Sequence, residues 1–313
     1  MLKIVYMGTP ALAATILEKL YNDLYPPVAV VTQVAKATGR GHKLVPTPVE
    51  DLGRRLGLNV LASLDVNSSP TLDVIKTFQP DIILVAAFGQ ILKEEILKLP
   101  KLGCYNVHGS LLPKYRGAAP VQRAIWNGDE KTGVTIQRIV RKLDAGDILL
   151  KKETTIEPHE TSGQLMARLA HLGGEALVEA VKLIESGKAS FTPQDESQVT
   201  YAKKIEKEEA VLDFNNTANQ LLNQIRALQP WPIAETKLGD TRVKIFGAKN
   251  ALLPSPGEPG KIVTDHQSYL TIHCGQGTAL SLTEIQPDNR KRLKIHEFLH
   301  AFRGNFPFEK IGT

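Results

Sequence analysis

The sequence predicts an α/β protein in which an open, mostly parallel Rossmann-like sheet is followed by a C-terminal OB-like β-barrel domain. In the first half of the chain, short apolar runs alternate with amphipathic helical stretches, which is the pattern of a parallel sheet covered by helices. Beyond residue 207 the apolar runs are short, partly alternating and separated by Gly and Pro, which is typical of a small barrel. The length of 313 residues suits two domains of about 100–200 residues each.

The first half of the chain supplies the predicted parallel sheet and its helices. Strands are predicted at residues 2–7, 28–32, 81–87, 104–108 and 134–137. A helix over 11–21 is predicted from leucine and isoleucine residues at helical spacing, and a helix over 48–56 begins with Pro48, which suits a first helical turn. A long apolar stripe over 160–186, followed by Gly187 as a C-terminal cap, predicts the helix that closes the first domain.

The second half of the chain is predicted to form a separate domain after a polar connection. Residues 188–207 are polar and charged, contain Pro193 and lack a clear period, which is typical of a linker. A helix is predicted at about 216–228, and strands are predicted at 242–246, 261–263, 269–273 and 279–285. We therefore expect domains at 1–187 and 208–313, joined by the linker 188–207.

The composition favours a protein of the cytoplasm. Cys104 and Cys274 lie far apart and form neither a disulfide framework nor a tetrahedral metal set, so a reducing compartment is expected. The longest apolar run, 82–88, is much shorter than the ~20 residues that span a bilayer, and the residues after Met1 are typical of a strand rather than a leader. We therefore expect no membrane association. The net charge of +5, from 38 basic and 33 acidic side chains, suits a polyanionic partner without requiring one.

Two local motifs suggest other chemistry and are interpreted as structural. Gly8 ends the first strand and opens a helix, but the next residues lack the second and third glycines of a dinucleotide-binding fingerprint. Residues 296–300, His-Glu-Phe-Leu-His, formally match the HExxH zinc pattern. After His300 only Glu309 remains as a candidate third ligand, and the apolar residues of the motif favour a terminal helix packed by its apolar side. We therefore predict no metal site.

The strongest candidate for chemistry is a pair of polar residues at the end of one predicted strand. Period-2 geometry sends Asn106 and His108 to one face of the strand 104–108 and Val107 to the other face. The pair lies at the carboxyl end of a strand in an open α/β sheet, which is where ligands usually bind. The pattern by itself fits either an active-site pair or a hydrogen-bonded structural pair.

A longer block of sequence around this pair adds to the interpretation. It runs NVHGSLLPKYRGAAP over residues 106–120 and is followed by LDAGD over 143–147. Together these segments closely resemble the formyltetrahydrofolate-dependent formyltransferase family. The resemblance implies that Asn106, His108 and Asp144 are the active-site Asn, His and Asp of the family. The expected chemistry is attack of an amine on a formyl carbonyl, with side-chain donors stabilising the oxyanion that forms.

The resemblance also implies the formyl donor and the residues that bind it. The family uses 10-formyltetrahydrofolate as a cosubstrate, without a metal ion. Its folate-contacting stretch matches Ser110, Leu111, Leu112 and Pro113. The pteridine ring of the folate needs a mostly apolar slot with backbone donors and acceptors. We expect the walls of that slot to come from Phe88, Gly89, Gln90, Ile91 and Leu143.

The resemblance extends over nearly the whole chain and is closest to the branch of the family that formylates methionine on initiator tRNA. The loop 39–43, Gly-Arg-Gly-His-Lys, is similar to the tRNA-reading loop of that branch, although residues 34–37 depart from its usual pattern. Residues 226–232 resemble the start of its C-terminal, tRNA-contacting domain. Because phosphate contacts dominate affinity for nucleic acids, basic side chains are the candidates for tRNA binding. They are Arg40 and Lys43 on the loop, and Arg290, Lys291, Arg292 and Lys294 on the barrel.

We therefore expect a cytoplasmic, monomeric enzyme that transfers the formyl group of 10-formyltetrahydrofolate to the α-amino group of methionine on initiator tRNA. For the barrel cluster of basic residues, a solvated charged face is the alternative. Two other functions stay open. A sibling enzyme that formylates a small amine, such as glycinamide ribonucleotide or an amino sugar nucleotide, or that hydrolyses the folate, would not need the basic barrel or the loop 39–43. A tRNA-binding protein that has lost activity would not need Asn106, His108 and Asp144 intact.

Overall fold

The computed structural model of the protein describes residues 2–38, 43–302 and 306–311, and for residues 36–38 and 43 it describes the backbone alone. The strands are β1 Ile4–Gly8, β2 Ala29–Gln33, β3 Lys36–Thr38, β4 Lys43–Val45, β5 Asn59–Ser63, β6 Ile82–Ala86, β7 Cys104–His108, β8 Arg116–Gly117, β9 Lys131–Arg138, β10 Ile148–Thr155, β11 Tyr201–Ala202, β12 Glu235–Leu238, β13 Thr241–Ala251, β14 Ile262–Thr264, β15 Leu270–His273, β16 Ala279–Pro287 and β17 Leu293–Lys294. The α-helices are α1 Ala11–Asn22, α2 Pro48–Arg55, α3 Ser69–Thr77, α4 Glu94–Leu97, α5 Pro120–Asn127, α6 Ser162–Glu185, α7 Ala218–Ala227 and α8 Ile295–His300. None of the described helices is long and apolar enough to cross a membrane.

The chain divides into two compact units. The first unit comprises the residues up to Pro120 together with Lys131–Thr155 and Met166–Ala202. The second unit comprises Val121–Glu130, Ile156–Leu165 and the residues from Lys203 onward. Residues 188–202 of the predicted linker therefore lie within the first unit, where β11 pairs in parallel with β8.

The first unit is built on a seven-stranded sheet with the order β10-β9-β7-β6-β1-β2-β5. Strands β7, β6, β1, β2 and β5 are parallel to one another, whereas β9 pairs antiparallel with β7 and β10 pairs antiparallel with β9. The prediction of an open, mostly parallel sheet is therefore confirmed. Strands β5 and β10 were not predicted because both are edge strands, and an edge strand with a solvated face lacks the continuous apolar run of a central strand.

The core of the first unit lies between the central strands and the helices that cover them. One face of the sheet contributes Met7, Val85 and Cys104 to a buried cluster that also contains Ile75 of α3 and Ile96 of α4. Burial raises the pKa of the Cys104 thiol to about 12, so it is neutral and packs as an apolar group. On the opposite face, α6 lies close to β7 at Gly173. A Cβ at this position would lie only 2.9 Å from Cγ1 of Val107. Strand β7 is thus fixed from both sides.

The second unit is built on an antiparallel sheet with the order β12-β13-β16-β15-β14, and β17 also pairs with β16. Register shifts around Gly247 bend the long strand β13 where it pairs with β16. Helix α7 packs on these two strands and begins with a capping box between Thr217 and Gln220. The curled antiparallel sheet confirms the predicted OB-like architecture.

The HExxH-like segment forms the short helix α8. Phe298 and Leu299 are buried, whereas His296 and His300 are exposed. The two imidazole rings stack edge to face, with their centroids 6.2 Å apart. Across the described residues, no group of three or more His, Cys, Asp and Glu side chains is arranged to hold a metal ion. The burial of Phe298 and Leu299 shows that this helix packs by its apolar side, as its sequence predicted.

Candidate active site

Strand β7 brings two polar side chains to the carboxyl end of the sheet. Cys104 begins the strand inside the core cluster, and the side chains two and four residues further on point to the same face. Asn106 is half-buried and His108 is 5% exposed. The face of β7 that carries Cys104 in the core therefore carries the polar side chains of Asn106 and His108 at the carboxyl end of the strand.

The ring of His108 lies between a main-chain carbonyl group and the carboxylate of Asp144. Its Nε2 atom lies 2.8 Å from the carbonyl oxygen of Tyr115. Since a carbonyl oxygen only accepts hydrogen bonds, this partner assigns the proton of the neutral ring to Nε2. Its Nδ1 atom lies 3.7 Å from Oδ2 of Asp144, within ion-pair distance when the ring is protonated. A proton gained at Nδ1 would therefore create an imidazolium beside a carboxylate.

Asp144 is held in a tight turn by donors to both of its carboxylate oxygens. Its Oδ2 accepts a hydrogen bond from the backbone N–H of Gly117, and its Oδ1 accepts one from Nε2 of Gln137, both at 2.9 Å. The backbone at Asp144 is left-handed, with a φ of 47°. Its side chain is 12% exposed. Gly146 completes the turn, because a Cβ at this position would collide with the carbonyl oxygen of Arg138.

Strand β9 contributes two site residues that the sequence analysis missed. Gln137 pairs with Asn106 across the strands, and Thr135 pairs with His108, so their side chains share the polar face. Both side chains are buried. The sequence held a signal for them, because the polar residues Thr135 and Gln137 alternate with the apolar residues Val134 and Ile136. In the structure both faces of this strand are buried. Buried polar residues at alternate positions indicate a polar contact on that face.

Two further residues outside the predicted site support the Asp144 turn, one directly and one through the other. Gln194 lies in the segment predicted as a linker, and its side chain bonds the carbonyl oxygens of Asp144 and Gly146. Arg116 is fully buried and donates to the side-chain oxygen of Gln194. No local pattern marked either residue for this role, because their partners are about 50 to 80 residues away in the sequence.

The side chain of Asn106 is free to bind a ligand. Within the part of the chain that the structure describes, its amide has no protein hydrogen-bond partner, and it is only half-buried. A buried or half-buried amide normally finds a partner, so this one is suited to a substrate oxygen. Asn106, His108 and Asp144 together offer an uncommitted amide donor, an imidazole nitrogen and a carboxylate at the end of β7. This set can stabilise an oxyanion and move a proton.

The segment 110–113 forms a tightly bonded loop directly after β7. Ser110, Leu112 and Pro113 are buried, and Leu111 is partly exposed. The Ser110 hydroxyl donates to the carbonyl oxygen of Lys114 at 2.7 Å. The hydroxyl of Thr135 donates to the carbonyl oxygen of Ser110 and accepts from the N–H of Leu112. These hydrogen bonds fix the backbone of the loop, and Leu111 is its most accessible apolar side chain.

The predicted walls of the apolar slot divide into two groups. The Phe88 ring is 2% exposed and lies in the core cluster, while its carbonyl oxygen accepts from Thr9 and Gln33. The Gln90 side chain forms hydrogen bonds with the backbone of residues 63 and 66. Gly89, between Phe88 and Gln90, has a φ of 81°. These three residues shape the loop after β6. Ile91 and Leu143, which are 78% and 57% exposed, present apolar side chains to solvent.

Of the predicted tRNA-contacting residues, the structure describes those of the second unit but not the side chains on the loop 39–43. Arg40 lies outside the described residues, as does the side chain of Lys43. In the second unit, Arg290, Lys291, Arg292 and Lys294 are all exposed. Arg292 pairs with Glu284 and its guanidinium lies 4.1 Å from the ring centroid of Phe246, while Nζ of Lys294 lies 3.5 Å from Oε1 of Glu284. Among the described residues, the side chains of Arg290 and Lys291 have no ion-pair partner.

Comparisons with known proteins identify the family. Residues 2–181 match the formyl transferase family model, and residues 204–303 match the model of the formyl transferase C-terminal domain. A methionyl-tRNA formyltransferase from Bacillus mycoides is 40% identical over 313 residues, covering 100% of this chain and 98% of the relative. The chain belongs to the methionyl-tRNA formyltransferase family. A second methionyl-tRNA formyltransferase, from Kosmotoga olearia, is 42% identical over 297 residues, covering 94% of each chain. The resemblance found in the sequence is confirmed, and this protein is an enzyme of the formyltransferase class.

Solved structures with lower identity share the fold. An N-formyltransferase from Helicobacter canadensis, in complex with folinic acid and dTDP-3-aminofucose, is similar with a TM-score of 0.67 and 18% identity. That comparison covers 90% of this chain and 99% of the other. HypX from Aquifex aeolicus, in complex with tetrahydrofolic acid, is similar with a TM-score of 0.63 and 19% identity, over 96% of this chain and 47% of HypX.

Proposed function

We propose that this enzyme transfers the formyl group of 10-formyltetrahydrofolate to the α-amino group of methionine on initiator tRNA, giving N-formylmethionyl-tRNA. The observation that carries this proposal is the full-length similarity to methionyl-tRNA formyltransferases, at 40% and 42% identity. The set of Asn106, His108 and Asp144 at the end of β7 supplies the chemistry that the reaction needs. The alternative of a small-amine acceptor is disfavoured because the N-formyltransferase solved with dTDP-3-aminofucose is only 18% identical and shares the fold alone.

In the first step, the methionine amine attacks the formyl carbon, a C–N bond forms and the carbonyl oxygen becomes an oxyanion. The side-chain amide of Asn106 donates to this oxygen. Its lack of a protein partner supports the assignment, because the donor is available without breaking another bond. One such donor is commonly worth about 10²- to 10³-fold in rate.

In the same addition, the attacking amine must lose a proton. The Nδ1 atom of His108 accepts it, because Nε2 already carries the proton that faces Tyr115. The resulting imidazolium is stabilised by Asp144, whose carboxylate lies 3.7 Å away. The oxyanion then collapses, the bond from the formyl carbon to N10 of the folate breaks, and His108 returns its proton to N10. The products are N-formylmethionyl-tRNA and tetrahydrofolate.

The folate is proposed to bind beside the end of β7. Ile91, Leu143 and Leu111 supply exposed or partly exposed apolar surface, while Ser110, Leu112 and Pro113 form the hydrogen-bonded loop that follows β7. Phe88, Gly89 and Gln90 fix the backbone of the neighbouring loop, which offers main-chain polar groups to the pteridine. Folate compounds in the two structures of similar fold support a folate ligand for this fold.

The domain roles belong to the same proposal. Residues 1–187 bind folate and carry out formyl transfer, residues 188–207 connect the two domains, and residues 208–313 contact tRNA. Arg40 and Lys43 contact the acceptor end, and Arg290 and Lys291 contact phosphates of the same tRNA. Methionyl-tRNA is a substrate of translation, so the proposed location is the cytoplasm. The proposed active form is the monomer.

The direct test is transfer of radiolabelled formyl from 10-formyltetrahydrofolate by the purified protein. Initiator Met-tRNA, elongator Met-tRNA and glycinamide ribonucleotide serve as parallel acceptors. We expect label on the initiator tRNA with strong preference over the other two acceptors. Labelling of glycinamide ribonucleotide alone would exclude the proposed acceptor and retain only the formyltransferase class.

Replacing Arg290 and Lys291 together by Ala is expected to weaken tRNA binding without affecting folate. Two lost phosphate contacts should reduce the slope of log affinity against log salt by about 2. Titration of tRNA binding at several salt concentrations measures this slope. Arg292→Ala is the matched control, since Arg292 is already paired with Glu284 and should change the slope less. An unchanged slope in the double variant would assign the pair to a solvated face.

A further inference from the structure

A network of hydrogen-bonded side chains connects Arg116, Gln194 and Gln137 to the Asp144 turn. The side-chain oxygen of Gln194 accepts from Nε and Nη2 of Arg116, at 3.0 and 2.8 Å. The side-chain nitrogen of Gln194 lies 2.8 Å from the carbonyl oxygens of Asp144 and Gly146, and 3.2 Å from Oε1 of Gln137. One amide side chain therefore joins Arg116 to the turn and to Gln137.

The neighbours of the Gln194 amide dictate its orientation. Arg116 has only donors, so the oxygen of Gln194 must face it. The carbonyl oxygens of Asp144 and Gly146 are acceptors, so they require the NH₂ group. Because Oε1 of Gln137 also faces this NH₂ group, Nε2 of Gln137 is left to donate to Oδ1 of Asp144. The order of donors and acceptors thus runs in one direction, from Arg116 to the Asp144 carboxylate.

Arg116 gives the network a fixed starting point. Its side chain is fully buried, and its planar guanidinium presents donors in a rigid fork. Nη2 also donates to Oε1 of Glu196 at 2.8 Å. Hydrogen bonds from Arg116 and Lys142 lower the pKa of the Glu196 carboxyl to about 2, so Glu196 is ionised at neutral pH and balances the buried cation.

The turn that this network holds is locally unfavourable. Asp144 has a φ of 47°, a left-handed conformation that is uncommon for residues other than Gly. Gln194 bonds the carbonyl groups on both sides of Ala145, and Gln137 and Gly117 bond the two carboxylate oxygens. Without Gln194, the carbonyl groups of the turn would lose their hydrogen-bond donor. The side-chain oxygen of Gln137 would also lose the donor that fixes the orientation of its amide.

We propose that Gln194 is a positioning residue for formyl transfer, which holds the Asp144 turn directly and the Asp144 carboxylate through Gln137 so that it faces His108. This role rests on the function proposed above. Gln194 belongs to the segment 188–207, so this segment also supports the active site besides connecting the domains. In this role Gln194 acts through Asp144 rather than on a substrate, and its effect should therefore appear in kcat rather than in substrate binding.

The variant Gln194→Glu tests this role while keeping the shape of the side chain. The carboxylate still accepts from Arg116, but its second oxygen then faces the acceptor oxygens of Asp144, Gly146 and Gln137. We expect kcat to fall by about 10- to 10²-fold, as for small displacements of a catalytic group. The KM values for Met-tRNA and 10-formyltetrahydrofolate should stay within about 3-fold. A merely structural role predicts little loss, because the new charge pairs with Arg116.

Two further measurements make the result decisive. Gln198→Glu adds the same charge to an exposed position of the same segment and should keep the wild-type kcat. In an Asp144→Asn background, adding Gln194→Glu should cause no further loss in single-turnover rate, because Gln194 acts through Asp144. Gln194→Met, which has similar length and no polar group, replaces Gln194→Glu if that variant fails to fold.

The outcomes separate this role from the proposed function. Formylation of Met-tRNA by wild-type protein, with a wild-type kcat for Gln194→Glu, would overturn the positioning role alone. Equal losses in the wild-type and Asp144→Asn backgrounds would also overturn it, since the effect would not pass through Asp144. Failure of the wild-type protein to formylate any Met-tRNA would overturn the proposed function itself.

Discussion

Replacing His108 by Ala is expected to lower kcat for formyl transfer by about 10²- to 10⁴-fold, which is the range for loss of a general base. The reason lies in the two ring nitrogens. Nε2 is held by the carbonyl oxygen of Tyr115, and Nδ1 lies beside Asp144, ready to receive the amine proton. No other described imidazole adjoins Asp144. Rapid-quench measurement of a single turnover with labelled 10-formyltetrahydrofolate separates this chemical step from product release.

The loss must be shown to be chemical rather than structural. Circular dichroism and thermal unfolding should show a folded His108→Ala protein, and its affinity for Met-tRNA should stay within about 2-fold of wild type, because the ring contributes to the transition state. His171→Ala, at an exposed position of α6, is the matched control and should keep full activity. A His108→Ala protein with wild-type turnover would remove this residue from the mechanism.

Replacing Asn106 by Ala is expected to lower kcat by about 10²- to 10³-fold, because the oxyanion loses a fixed donor. Asn106→Asp should lose more, since it has nearly the same shape but places a carboxylate where negative charge develops. The ordering of the two variants is therefore the sharper test. If donation to the oxyanion is the role of Asn106, the isosteric Asp is worse than the smaller Ala.

Steady-state kinetics with saturating Met-tRNA and folate measure the two Asn106 variants. Asn250→Asp introduces the same change at an exposed position of β13 and should leave kcat unchanged. An Asn106→Asp protein that is more active than Asn106→Ala would contradict oxyanion donation and favour a packing role. A rise in KM with an unchanged kcat would instead assign Asn106 to uniform substrate binding.

The fold was predictable where local pattern and tertiary environment agree. Central strands are buried on both faces, so their continuous apolar runs are visible in the sequence, and the predicted strand 104–108 coincides with β7. The long helix predicted at 160–186 is observed as Ser162–Glu185. The edge strands β5 and β10 escaped prediction because neither has the continuous buried run of a central strand: β5 has only partly buried apolar residues, and β10 exposes Lys151, Glu153 and Thr155.

The candidate site was predictable only in part. Asn106 and His108 stand out because two polar residues at alternate positions end an apolar strand, and Asp144 was found by resemblance to a family. Gln194 carried no motif, Gln137 was marked only by its alternation with apolar residues, and Arg116 lay within the block 106–120 with no role assigned to it. Their roles depend on hydrogen bonds to residues far away in the sequence, which the pairing of β7 with β9 and of β8 with β11 makes possible.

The sequence by itself determined the α/β class, the positions of the central strands along the chain, the polar end of β7 and the family resemblance. These features follow from side-chain period and local motifs, which act within one element or one continuous block. Only the tertiary structure decided which distant side chains surround Asp144 and which amide of the site stays unpartnered. A buried polar group takes whichever partner the fold brings within hydrogen-bond distance, and that choice depends on geometry across the sheet rather than on neighbours along the chain.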